Sequence, residues 1–127
     1  MSVSLLVPSL IAFNLVCTGS SVTTENGRLQ LGLRPTSIVY RIDLDANRFC
    51  SHSCESTRPI ASVTYGDIVL QDEIARVGGE VIYRKVSRES GSYYSSLETK
   101  VGRKLKSVIM VATCERAPFS GFPVRKF

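Results

Sequence analysis

Histidine is almost absent and tryptophan wholly so: the chain carries one His and no Trp in 127 residues. A single imidazole excludes every constellation that needs two. Any Ser-His-Asp or Cys-His arrangement would have to be built on His52. No Gly-x-Ser-x-Gly elbow, phosphate loop, dinucleotide fingerprint or His-Glu-x-x-His stretch occurs. Long apolar runs are missing as well. Val3 to Val16 is mostly apolar, but Ser4, Pro8, Ser9 and Asn14 interrupt it, and a spanning helix needs about 20 consecutive apolar residues. Gly and Pro show no period, heptads are not sustained and no internal repeat is found, which excludes collagen, coiled coil and solenoid.

What is present suits one folded domain. The chain is 43% hydrophobic and 21% charged, with a formal charge of +5, too apolar for its charge to remain disordered. The charge is uneven. Residues 100–127 hold seven basic side chains (Lys100, Arg103, Lys104, Lys106, Arg116, Arg125 and Lys126) against Glu115 alone. Residues 1–99 hold nine basic and ten acidic ones. The cluster Lys100, Arg103, Lys104 and Lys106 is either a solvated face or a docking patch for an anionic partner, a lipid headgroup or an acidic protein among them. Nucleic acid is disfavoured. Sheets that bind it also present stacking aromatics, and Tyr93 and Tyr94 precede the cluster and match no such signature.

Four cysteines, Cys17, Cys50, Cys54 and Cys114, allow three pairings in an oxidising compartment. The favoured one is Cys50–Cys54 with Cys17–Cys114. Ser51-His52-Ser53 has turn composition suited to a short loop, and the second bridge would tie the first strand to the last. Reduced thiols in a cytosolic chain are the alternative. Cys50, His52, Cys54 and Cys114 would then be a zinc-ligand set, although no Cys-x2-Cys spacing supports it. Asp43, Asp45 and Asn47 imitate the start of a calcium loop, but Arg48 stands at the glycine position and Cys54 at the glutamate position. No cofactor, metal or catalytic residue is therefore assigned.

Residues 1–24 lack charge. The apolar run has the length of an export-signal core but no Lys/Arg region before it. Cleavage after Gly19 or Ser20 would discard Cys17, whereas cleavage after Ala12 keeps all four cysteines. The expectation is a short export signal over residues 1–12 and one β-domain over 13–127.

The rest reads as strands. Ser37 to Leu44, Glu80 to Ser87 and Lys104 to Cys114 alternate clearly. Ile60–Thr64 and Asp67–Gln71 suggest a hairpin about Tyr65-Gly66, and Ser92–Thr99 pairs back on the second clear strand. Thr18 to Asn26 reads as a loop, Arg34-Pro35-Thr36 as a break, Glu73 to Val77 as one helical turn, and 117–127 as an irregular tail. Short strands with frequent turns predict an all-β, antiparallel meander of six to eight strands, closed or partly closed into a small barrel.

The order Phe13-Asn14-Leu15-Val16-Cys17-Thr18-Gly19, Tyr40-Arg41-Ile42-Asp43-Leu44, Cys50-x3-Cys54 and Thr113-Cys114 resembles short exported proteins of Gram-negative bacteria, over roughly residues 13–115. The resemblance implies a small β fold and a periplasmic or secreted location, and carries no activity. The chain is thus expected to be a non-enzymatic binding or structural module. The rival expectation is a cytosolic zinc- or nucleic-acid-binding module using the cysteines, His52 and the basic face.

Overall fold

The computed structural model describes residues 11–74 and 79–123. Period-two alternation puts Phe13, Leu15 and Cys17 on one face of the first strand, β1 (Ala12–Glu25). They lie opposite Ile42, Tyr40 and Ile38 of β2 (Arg28–Asp43), and all six are buried. Burying each such side chain contributes about 1.5–3 kcal/mol. That face is the concave lining of a strongly curled sheet.

β2 turns at Asp43, whose carboxylate accepts the Ala46 N–H at 3.0 Å. The chain then forms β3 (Arg48–Ser51) and β4 (Arg58–Pro59). It continues as β5 (Ser62–Val63), β6 (Asp67–Ile74), β7 (Glu80–Ser87), β8 (Ser92–Val101) and β9 (Lys104–Pro118). The sheet order is β4-β3-β2-β1-β9-β8-β7-β6-β5, and every described pairing is antiparallel. β1 pairs with β9, and β4 and β5 are the two free edges. Only Ile60 and Ala61 separate those edges in sequence. Ile60 N–H donates to Asn47 on one side at 3.1 Å, and Ala61 N–H donates to Leu70 on the other at 3.3 Å.

The all-β meander is present, with the first and last strands paired along their length. Three expectations are corrected or narrowed. Among the described residues there are nine strands rather than six to eight, because Arg58–Pro59 and Ser62–Val63 each add a two-residue edge. The barrel expected to be closed or partly closed is an open, curled half-barrel sheet, whose edges β4 and β5 do not pair. Thr18 to Glu25 is strand, not loop: it lies between β2 and β9 and is paired on both sides.

Smaller corrections follow from the same pairing. β2 runs through Pro35 without a break; its outer edge meets β3 only from Tyr40 onward, so the missing N–H costs no ladder bond. Glu73 and Ile74 belong to β6 rather than to a helical turn, and residues 75–77 lie outside the described residues. The expected tail is strand up to Pro118. Beyond it, Phe119 and Phe122 stack edge to face with centroids 5.2 Å apart, and Arg41 donates to the Gly121 carbonyl at 3.0 Å. Of the expected export signal, only Ile11 and Ala12 fall among the described residues, and Ala12 already opens β1.

Candidate functional site

The cysteines form the two expected bridges. Cys17 and Cys114 are direct cross-strand partners on β1 and β9, with Cα atoms 4.0 Å apart. Cys50 and Cys54 close a four-residue separation. His52 and Cys54 both take positive φ in that loop, 50° and 53°. His52 is exposed, and its backbone N–H bonds the Val39 carbonyl at 3.0 Å. The zinc-ligand set of the rival reading therefore has no free thiols: Cys114 is bonded to Cys17, and Cys50 to Cys54. Among the described residues no group of three or more His, Cys, Asp or Glu side chains could hold a metal ion.

The short bridge forms one wall of a cleft of about 320 Å³ inside the curl, where β2 and β3 face β6 and β7. Arg84 of β7 reaches across it and donates to the Tyr40 hydroxyl at 3.0 Å. Tyr40 and Tyr93 share a hydroxyl–hydroxyl bond of 2.5 Å. Burial, reinforced by the neighbouring Tyr93, pushes ionisation of the Tyr40 phenol well above its ordinary value. At neutral pH Arg84 therefore meets a hydroxyl dipole rather than a phenolate. Burial disfavours the charged guanidinium, but its tyrosine neighbours outweigh that effect and hold its pKa up, so Arg84 remains a cation. Its Nε is buried without a partner, and among the described residues no carboxylate pairs with it.

Gln71 stands directly opposite Arg84 across the β6–β7 pair. It is buried although its neighbour Leu70 is buried too, which alternation forbids in a regular strand. A register shift between Val69 and Gln71 resolves the conflict. The bulge turns Gln71 onto the concave face, a common use of bulges beside binding sites. At the rim, Arg58 of β4 and Glu73 of β6 pair at 3.6 Å, linking one edge of the sheet to the strand beside the other.

The second concentration of charge lies at one end of the sheet. The β1–β2 and β8–β9 turns are joined there. Asn26 N–H donates to the Leu105 carbonyl at 2.7 Å, and Leu105 N–H donates to the Asn26 side-chain oxygen at 2.8 Å. This fused tip carries Lys100, Arg103, Lys104 and Lys106, all exposed, with Arg28 of β2 at the same level and the exposed Arg34 further along that strand, opposite Ser21 of β1. Lys104 approaches Glu25 at 3.7 Å, an exposed pair of little energetic weight. Leu29, Leu31, Leu33, Val101 and Leu105 are also exposed, Leu33 at 74% and Val101 at 69%. Of the two tyrosines weighed for base stacking, Tyr93 is buried and Tyr94 lies on the convex face against Tyr83.

Comparison with protein families, curated proteins and solved structures finds no match to this chain. The sequence marks the four cysteines and the basic cluster, but not Arg84, Gln71, Tyr40 or the leucines of β2. One signal was present: Ile82, Arg84 and Val86 share a face of a clear strand, which sets a cation between two apolar positions.

Proposed function

We propose that this chain is an exported, non-enzymatic β-sheet binding module that docks on an anionic lipid surface through its fused hairpin tip. The observation that carries the reading is the coincidence, on that tip and the adjoining length of β2, of five exposed aliphatic side chains with six cationic ones. Single exposed leucines are ordinary. Apolar side chains beside Lys and Arg combine insertion at the acyl boundary with attraction to anionic headgroups, the two contributions that hold interfacial anchors. Glu25, Glu80 and Glu98 lie near the same end, which leaves the cations in excess. Two disulfides are compatible with a periplasmic or extracellular compartment, and the resemblance to short exported Gram-negative proteins points the same way.

Vesicle sedimentation tests the proposal. The protein should partition onto vesicles containing phosphatidylglycerol and not onto pure phosphatidylcholine. Each Lys or Arg near such a surface contributes about 1 kcal/mol. Lys104→Glu with Lys106→Glu should therefore lower partitioning about 30-fold or more. Leu31→Ser with Leu33→Ser should weaken it without changing its salt dependence. Equal partitioning of wild type and the charge-reversed variant would overturn the reading.

A further inference from the structure

Arg84 poses a question the tip does not answer. A guanidinium is costly to bury unless it is paired and fully hydrogen-bonded. Here it is half-buried, bonded to a neutral phenol and left with an unpartnered Nε. A Leu or Met at this position would match its neighbours Ile82 and Val86, yet the fold retains a cation. A β-bulge also sets the Gln71 amide beside that cation. The cleft in front of them is roomy, and Ser51 and Ser53 of the Cys50–Cys54 loop line its other wall. The larger concavity of about 430 Å³, beside Phe13, Val86 and Cys114, has no comparable buried cation without a partner among the described residues.

We infer that this cleft binds a small ligand by its oxyanion, seated on the Arg84 guanidinium and oriented by the Gln71 amide and the loop serines. Two cations reach the cleft, Arg84 and Arg58, and one carboxylate lines it, the exposed Glu55. Arg58 is engaged by Glu73 across the rim, which leaves Arg84 as the seat. Charge-assisted hydrogen bonds from a guanidinium are the strong ones, and its planar fork suits carboxylate and phosphoryl oxygens alike. The bridge at Cys50–Cys54 fixes the serine wall, so the site is largely formed before a ligand arrives. This inference is independent of the lipid-docking reading, because the cleft and the tip share no residue.

The test is a titration of the intact, oxidised protein with sodium acetate, sodium phosphate and sodium sulfate as probes. It is followed at constant ionic strength by thermal shift and by the Gln71 side-chain amide resonance. A saturable effect from acetate alone identifies a carboxylate ligand, and one from phosphate or sulfate identifies a phosphoryl or sulfuryl ligand. Either supports the inference. Arg84→Lys keeps the charge but loses the fork, and Gln71→Leu keeps the buried volume but loses the amide. Each should weaken the bound probe about tenfold. Gln71→Leu keeps the test decisive if Arg84→Lys fails to fold. No saturable response to any probe, or equal binding by wild type and Gln71→Leu, would overturn it. Loss of vesicle binding in the tip variants leaves this result untouched, so the two readings fail separately.

Discussion

Tyr40 and Tyr93 touch hydroxyl to hydroxyl at 2.5 Å, although two whole strands, β1 and β9, lie between the strands that carry them. The bond is a strut across the chord of the curl, and Arg84 braces one end of it. The two partners are not equivalent. Tyr40→Phe takes away the acceptor for a guanidinium as well as the partner of Tyr93, which should cost about 2–3 kcal/mol. Tyr93→Phe loses one neutral bond and should cost about 1 kcal/mol. Chemical denaturation of the two variants measures the difference, and the reverse order would show that Arg84 does not depend on Tyr40.

The raised ionisation of Tyr40 makes stability pH-dependent on the alkaline side. Below the ordinary tyrosine value of about 10 the phenol is neutral in both folded and unfolded chains, and its contribution is whole. Above that value the unfolded chain gives up the proton while the folded one keeps it. Stability should then fall by about 1.4 kcal/mol per pH unit until the folded value is reached. Denaturation midpoints from about pH 9 to 11, compared in wild type and Tyr40→Phe, should show the slope in the first and a flatter line in the second.

The two bridges differ in reach. Cys17–Cys114 spans a sequence separation of 97 and Cys50–Cys54 one of 4. Chain-entropy reasoning assigns the long bridge about 4.7 kcal/mol and the short one about 2. The double variant Cys17→Ala, Cys114→Ala should therefore unfold at a clearly lower guanidinium midpoint than Cys50→Ala, Cys54→Ala. Alkylation before and after reduction, read by intact mass, should label none and then all four cysteines.

Gly19 and Gly32 make a controlled pair. A Cβ on Gly19 would fall on the Val111 carbonyl oxygen and within 2.5 Å of Ala112 Cα. β1 and β9 would then be forced apart close to the Cys17–Cys114 bridge. Gly19→Ala should destabilise by about 1–3 kcal/mol. Gly32 meets nothing within 4 Å, and Gly32→Ala should be neutral or stabilise by up to about 1 kcal/mol through the unfolded chain. Thermal melts of the two variants read both effects.

The strands legible in the sequence were those that alternate or carry strong strand formers. Ser37–Leu44 alternates because Ile38, Tyr40 and Ile42 meet the core. Glu80–Ser87 buries only Val86 and Lys104–Cys114 only Met110 and Cys114, and their β-branched and aromatic residues carried the reading. The second half of β1 does not alternate, because no residue from Thr18 to Glu25 is buried. Its Ser and Thr side chains read as loop, and only its pairing to β2 and β9 makes it strand. The cleft was illegible for a related reason. Gln71 belongs to the solvent face by parity, and only the bulge at Leu70 brings it inward. The cysteine pairing was legible because loop length and strand closure both favoured one solution.

The seam at Ile60–Ala61 bears on the order in which the molecule can be assembled. Cut there and joined between the neighbouring ends of β9 and β1, where Phe13 faces Pro118, the same nine strands would appear in the chain in the order in which they stand in the sheet. Every pairing would then be a contact between immediate successors, the arrangement that folds fastest. The natural chain places the central strand, β9, last among these nine, while its neighbour β1 comes first. The middle of the sheet waits until the other eight strands have been made, and the Cys17–Cys114 bridge that locks it cannot close before β9 is in place.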